Sequence, residues 1–131
     1  MNPERQNIAS GTPFEAKFGY SRAVRVGNHV CVAGTAPLDE HGNTVGNDMY
    51  SQAKFIWTKI ERALKEAGAT FHDVVRTRTF VTDIAHWQDA MRAHGEIFHE
   101  IRPASTLVAV SALVGPDLLL EIEVDAVIGN P

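Results

Sequence analysis

The sequence predicts an α+β domain, a mixed sheet with two helices on one face, and three observations carry that prediction. Apolar residues alternate with polar ones in short runs near the start, in the middle and at the end of the chain, as half-buried strands require. Between these runs lie two longer segments whose apolar residues return every three or four positions, the period of an amphipathic helix. The resulting order, β-β-α-β-α-β-β, lets each helical connection act as a crossover between parallel strands. At 131 residues the chain suits one hydrophobic core, so residues 1–131 are read as a single domain behind a polar leader, 1–18.

Ser21–Val26 and His29–Ala36 read as a hairpin turning through Gly27-Asn28, two residues that tolerate the positive φ of a tight turn. Turn formers crowd residues 39–47, after which Asp48 is placed to cap a helix from Met49 to Ala67 that Gly68 closes. Ala53, Ile56, Trp57, Ile60, Ala63, Leu64 and Ala67 form its apolar stripe, while Lys54, Lys59, Glu61, Arg62, Lys65 and Glu66 lie mostly elsewhere. Val74–Thr82 is the third strand, with Val75, Thr77, Thr79 and Val81 on one face and Val74, Arg76, Arg78 and Phe80 on the other. Asp83 is the expected cap of a second helix running to about His99, with a stripe of Trp87, Ala90, Met91, His94 and Phe98.

Thr106–Leu113 and Leu118–Ile128, divided by Gly115-Pro116-Asp117, are the last two strands, and Val108 and Val110 are assigned to the core. On the final strand Leu118, Leu120, Ile122, Val124 and Ala126 make an apolar face, and Leu119, Glu121, Glu123, Asp125 and Val127 a more acidic one. With both helices on one side, that second face is bare, which predicts a closed homo-oligomer with sites between subunits.

Composition excludes several classes. No apolar run approaches the roughly 18 residues of a membrane span, and MNPERQNIAS lacks the apolar stretch of a secretory signal, which makes the cytoplasm the expected location. A net charge of −4 offers no general attraction for phosphate backbones, so nucleic acid is a disfavoured partner. The lone Cys31 cannot form an internal disulfide and, within His29-Val30-Cys31-Val32-Ala33, is read as a small buried hydrophobe. His94 and His99 are five apart, not the four that put two ligands on one helix face, and no metal site is expected. Neither a phosphate-cradling glycine motif nor a serine-hydrolase elbow is present, and no cofactor is expected.

The remaining polar residues supply the candidates for chemistry. Glu121, Glu123 and Asp125 project carboxylates from one strand face at roughly 7 Å intervals, suited to activating water. Glu123 and Asp125 equally suit a solvated face or pairing with Arg76 and Arg78. His94, on a core-facing stripe, is either a general base or a hydrogen-bonded core histidine. Tyr20, a phenol just before the first strand, is either a site residue or an amphipathic rim residue. Arg102 lies three residues before Ser105; an odd separation turns it to the opposite strand face unless Pro103 bends the chain, and a surface or interface ion pair is the other reading.

Five short stretches, in order, resemble one family. Gly19-Tyr20-Ser21, Val32-Ala33-Gly34-Thr35, Asp73-Val74-Val75-Arg76, Pro103-Ala104 and Glu121-Ile122-Glu123 resemble motifs of the RidA/YjgF family, also labelled endoribonuclease L-PSP, across Gly19 to Val127. The resemblance implies a chorismate-mutase-like fold and a homotrimer whose sheets form a barrel with clefts between subunits. It also implies hydrolysis of reactive enamines and imines, such as 2-aminoacrylate, to a carbonyl compound and ammonia. Glu121 matches the glutamate that holds the attacking water, and Tyr20, Gly34, Thr106 and Leu107 match residues lining the cleft. The family's carboxylate-binding arginine falls at Ser105, its serine at Ala33 and its second-helix asparagine at Met91, which assigns this chain to an arginine-lacking branch.

Losing a permanently charged bidentate donor costs a substrate carboxylate about 2–5 kcal/mol. The expected activity is therefore metal-free deamination of an imine or enamine other than simple 2-aminoacrylate. Glu121 would be catalytic, with Tyr20, Gly34, Ser105, Thr106, Leu107, His94 and Arg102 around the substrate. The alternatives are a non-catalytic trimer that binds a small metabolite and, less favoured, an endoribonuclease.

Overall fold

The computed structural model describes residues 4–130. Its elements are β1 (Arg5–Ile8), α1 (Pro13–Phe18), β2 (Ala23–Val26), β3 (His29–Thr35), α2 (Met49–Glu66), β4 (Val74–Val81), α3 (Trp87–Phe98), β5 (Ala104–Ala109) and β6 (Leu120–Val127). They form an α+β fold with one six-stranded sheet in the order β1-β2-β3-β6-β4-β5. Every neighbouring pair is antiparallel except β4 and β5, which α3 joins as a parallel crossover. β6 inserts between β3 and β4, so the chain returns at its end to complete the middle of the sheet. Among the described residues no helix is long and apolar enough to cross a membrane.

Strong periodicity translates directly into packing. All seven residues of the α2 stripe are buried, as are Leu118, Leu120, Ile122, Val124 and Ala126 of β6 and the residues before it. Asp48 caps α2 by accepting from Ser51 N–H at 2.7 Å, and Gly68 takes the left-handed conformation (φ 85°) just past its end. Gly27 alone supplies the positive φ of the hairpin, at 61°. Gln52, an uncharged polar residue inside the core, earns burial by bonding the carbonyls of Gly46 and Asp117 and the N–H of Leu119, thereby tying the approach to β6 onto α2.

Elsewhere local detail overrides pattern. The polar leader contains the edge strand β1 and the helix α1, capped by Thr12; elements of four and six residues are too short to display a period. A bulge between Val74 and Arg76 inserts Val75 as an extra residue, so Val74 joins Thr77, Thr79 and Val81 in the core and Val75 turns outward. Asp83 caps a 3₁₀ turn, Ile84–His86, instead of α3; the helix begins one turn later, leaving Trp87 exposed while Ala93 takes a buried place. β5 starts at Ala104, immediately after Pro103, and stops at Ala109 because its partner β4 stops at Val81. Val108 consequently lies opposite Phe80 on the other sheet face, exposed, and not in the core. Cys31 is exposed as well, since its neighbours Val30 and Val32 are the ones that point inward.

α2 packs on β3, β6 and α3, on the side of the sheet that carries the core. The opposite face presents Arg78, Phe80, Thr106, Val108, Glu121, Glu123 and Asp125, all exposed or half-buried. Arg78 pairs with Glu123 and Asp125 at 3.4 and 3.6 Å, as one reading of those carboxylates anticipated, whereas Arg76, in register with Asp125 but exposed, makes no ion pair among the described residues.

Candidate functional site

Glu121 lies on this open face, opposite Phe80 of β4. On its other side β3 carries a bulge between Val32 and Thr35, which brings the bare Cα of Gly34 against the carboxylate. A Cβ at Gly34 would stand 3.1 Å from the Glu121 carboxyl carbon and closer still to Oε2. Only glycine leaves the carboxylate where it is. Burial raises the Glu121 pKa above the ordinary carboxylate value; the Arg22 guanidinium opposes that rise and Glu123 adds to it.

Arg22 is a site residue that the sequence pattern does not single out. Its Nη1 donates to Gly34 O at 3.0 Å and to Thr35 Oγ1 at 3.2 Å, and its Nε sits 3.9 Å from Glu15 Oε2. Glu15, buried on α1, also accepts from the Ser10 N–H and hydroxyl. The leader thus anchors the arginine that pins the glycine under Glu121. Tyr20, exposed, follows Gly19, whose left-handed backbone (φ 78°) ends α1.

Lys59 of α2 fastens the next stretch, donating to Ala36 O at 2.8 Å and Leu38 O at 2.9 Å. Burial, with Arg22 nearby, pushes its ammonium down to about 8, against a smaller opposing pull from Asp39. Because the folded value lies below the ordinary 10.5, the Lys59 contribution to stability is complete above pH 10.5 and is lost as pH falls through about 8. Comparing unfolding free energies of wild type and Lys59→Met across that interval should show wild type gaining relative to the variant as pH rises. Parallel pH profiles would remove Lys59 from this account.

The remaining candidates form a second group. Ser105 of β5 pairs with Thr77 of β4, and the Thr77 hydroxyl donates to Ser105 Oγ at 2.9 Å. His94 Nε2 lies 2.9 Å from the same hydroxyl, inside an aromatic enclosure of Trp57 and Phe98. Burial lowers the His94 pKa and so favours the neutral imidazole. Thr77 has one proton to give; with that proton on Ser105, His94 donates through Nε2–H and the Ser105 hydroxyl is left to donate outward. His94 is therefore the hydrogen-bonded core histidine, coupled to the surface through Thr77.

Leu107 shares the Ser105 side of β5, whereas Thr106 lies opposite Arg78 on the open face. Arg102 is exposed, makes no ion pair among the described residues, and donates its N–H to Phe98 O at 2.8 Å as α3 unwinds. It holds a left-handed φ of 56° directly before Pro103, a strained backbone for a non-glycine residue. Within one chain the two groups do not meet. Glu121 and Ser105 lie on opposite faces of the sheet with β4 between their strands.

Comparison with known proteins comes to the same scaffold. The family described as Endoribonuclease L-PSP matches residues 11–128. The chain is 34% identical over 121 residues to the 3-aminoacrylate deaminase RutC of Acinetobacter baylyi, covering 92% of this chain and 94% of that protein. It is 33% identical to an uncharacterized Streptomyces coelicolor protein, over 92% of this chain and 90% of the relative. A crystal structure of a YjgF/YER057c/UK114 family member from Mycobacterium tuberculosis superposes with a TM-score of 0.88 at 46% identity, covering 95% of this chain and all of the other.

Proposed function

The chain belongs to the endoribonuclease L-PSP family, the YjgF/RidA proteins, and from that premise we propose that it hydrolyses a reactive enamine or imine to a carbonyl compound and ammonia. The observation that carries this reading is Glu121, a half-buried carboxylate with a raised pKa seated on bare glycine backbone. In an imine the carbon is already electrophilic. A carboxylate that orients water accepts its proton as the C–O bond forms and passes it to nitrogen, giving the carbinolamine. The carbinolamine hydroxyl proton then travels by the same carboxylate to nitrogen as the C=O bond forms, the C–N bond breaks and ammonia leaves; an enamine first takes a proton on carbon to become the imine. The name of the Acinetobacter relative supports an enamine as substrate class.

Ser105 stands where the family places its carboxylate-binding arginine, and its Thr77-oriented hydroxyl offers one neutral donor. That favours a substrate other than simple 2-aminoacrylate, with Thr106, Leu107 and Tyr20 at the rim. His94 acts through Thr77, as a positioning residue.

Because Glu121 and Ser105 occupy opposite faces of one chain, the complete site is shared between two copies in a closed homotrimer. The bare sheet face, with Phe80 and Val108 on it, and the free edge of β5 suit such an assembly. Ribonuclease activity has little electrostatic support, since that face carries Glu121, Glu123 and Asp125 against Arg76 and Arg78, and Arg78 is already engaged by two of the carboxylates.

The absence of an arginine at Ser105 also favours a second reading, ligand capture without turnover. Incubation with small enamine and imine acids, following ammonia release and thermal shift together, separates the two. Ammonia formation supports hydrolysis, and a shift without ammonia supports capture. Gly34→Ala adds a sharper test: Glu121 can swing aside, so stability should change by less than about 1 kcal/mol. Ammonia release should nevertheless fall about 100-fold through misplacement of the carboxylate. Retained turnover in Gly34→Ala would sink the proposed water-positioning geometry.

A further inference from the structure

On the open face, further along β6 from Glu121, three side chains of different chemistry converge. His29 and Cys31 are two apart on β3 and share a face, and Asp125 is the register partner of Cys31 on β6. His29 Nε2 is 3.2 Å from Cys31 Sγ, and a nitrogen, the sulfur and a carboxylate oxygen all lie within 4.8 Å of one another. We propose that His29, Cys31 and Asp125 form a binding site for a divalent transition-metal ion of the zinc type.

Imidazole, thiolate and carboxylate are the three protein ligand types zinc accepts, and a tetrahedral ion holds its ligand atoms roughly 3.3–3.8 Å apart. The His–Cys pair is already about that close, and the separations to the carboxylate, within 4.8 Å, are closed by side-chain rotation. All three residues sit on paired strands, so little ordering is left to be done on binding. A fourth position is left on the open face, for water or, in the proposed trimer, for a group from a neighbouring copy.

Electrostatics favour a cation here over a reactive cysteine. The carboxylates of Asp125 and Glu123 lie near the Cys31 sulfur, with the Arg78 guanidinium opposing them. The same carboxylates attract a divalent cation, which displaces the thiol proton as it binds. Arg78, 3.6 Å from Asp125 Oδ2, orients that carboxylate and leaves its other oxygen available. Asp125 lies four positions along β6 from Glu121, roughly 13 Å at the strand rise, so the site is distinct from the proposed hydrolytic one and stands independently of it.

Untagged full-length protein, stripped with chelator, is titrated with Co2+ as a spectroscopic probe and then with Zn2+. The expected result is a cobalt–thiolate charge-transfer band in the near ultraviolet that saturates at equimolar metal and is displaced by zinc. Cys31→Ser should abolish the band, and His29→Ala and Asp125→Asn should each weaken affinity about tenfold or more. His86→Ala, which removes the histidine lying between Asp83 and Asp89, should leave band and affinity unchanged. No band in wild type, or unchanged affinity in His29→Ala, would overturn the site. His29 is exposed, so that variant decides the question even if Cys31→Ser fails to fold.

Discussion

Glu121→Gln is expected to reduce ammonia release about 100-fold or more while unfolding at no lower denaturant concentration than wild type. Glutamine keeps the shape of the side chain against Gly34 but cannot accept a proton from water. The stability half follows from the direction of the pKa shift. A carboxyl group whose folded pKa is raised stabilises the fold fully only below its unfolded pKa, and that contribution disappears as pH rises through the folded value. Burial disfavours the ionised form of Glu121, so a neutral replacement relieves a cost that the carboxylate carries when charged; the lost attraction to Arg22 is the smaller, opposing effect.

The two halves are separable by pH. Wild-type turnover should decline on the acid side with a midpoint above that of an ordinary carboxylate, because the base must be ionised. Equal ammonia rates in wild type and Glu121→Gln would take Glu121 out of the mechanism. A large loss of stability in the variant would show that the carboxylate serves the fold.

Most of the fold is legible where one physical pattern dominates a long segment. The α2 stripe from Ala53 to Ala67 and the alternation from Leu118 to Ala126 survive intact because many residues share one burial requirement. Bulges are not legible in this way: one inserted residue reverses the faces of everything beyond it, and nothing in the side chains of Val74 or Val75 announces it. Cys31 shows the reverse problem. Surrounded by valines in sequence, it sits on the opposite parity from Val30 and Val32 and so faces outward with His29. Glu121 and Gly34 are marked as site candidates through family resemblance, not through any local pattern. Arg22, Glu15 and Lys59 are not, because each reads locally as an ordinary surface charge, and the backbone of residues 34–38 that Arg22 and Lys59 bind, like the Arg22–Glu15 contact, is assembled only by tertiary packing. The relay from His94 through Thr77 to Ser105 joins three consecutive elements, at separations of 17 and 28 residues, and has no local signature either.

Co-expression of two separately inactive variants is expected to restore turnover. Glu121→Gln removes the proposed base, and Ser105→Tyr fills the space outside β5 with a ring, each leaving the other half of the site untouched. If every site in a trimer takes Glu121 from one copy and Ser105 from its neighbour, random equimolar assembly makes about a quarter of the sites fully intact. Activity should therefore recover to about a quarter of the wild-type rate, against almost none for either variant alone. A site built within one chain allows no such recovery, since every chain in the mixture carries a lesion. Opposite placement of Glu121 and Ser105 about the sheet is what makes recovery the expected result. Failure to recover in mixed trimers of confirmed composition would mean that Ser105 and Glu121 do not serve a common site. A chain that remains monomeric in solution would refute the shared site directly.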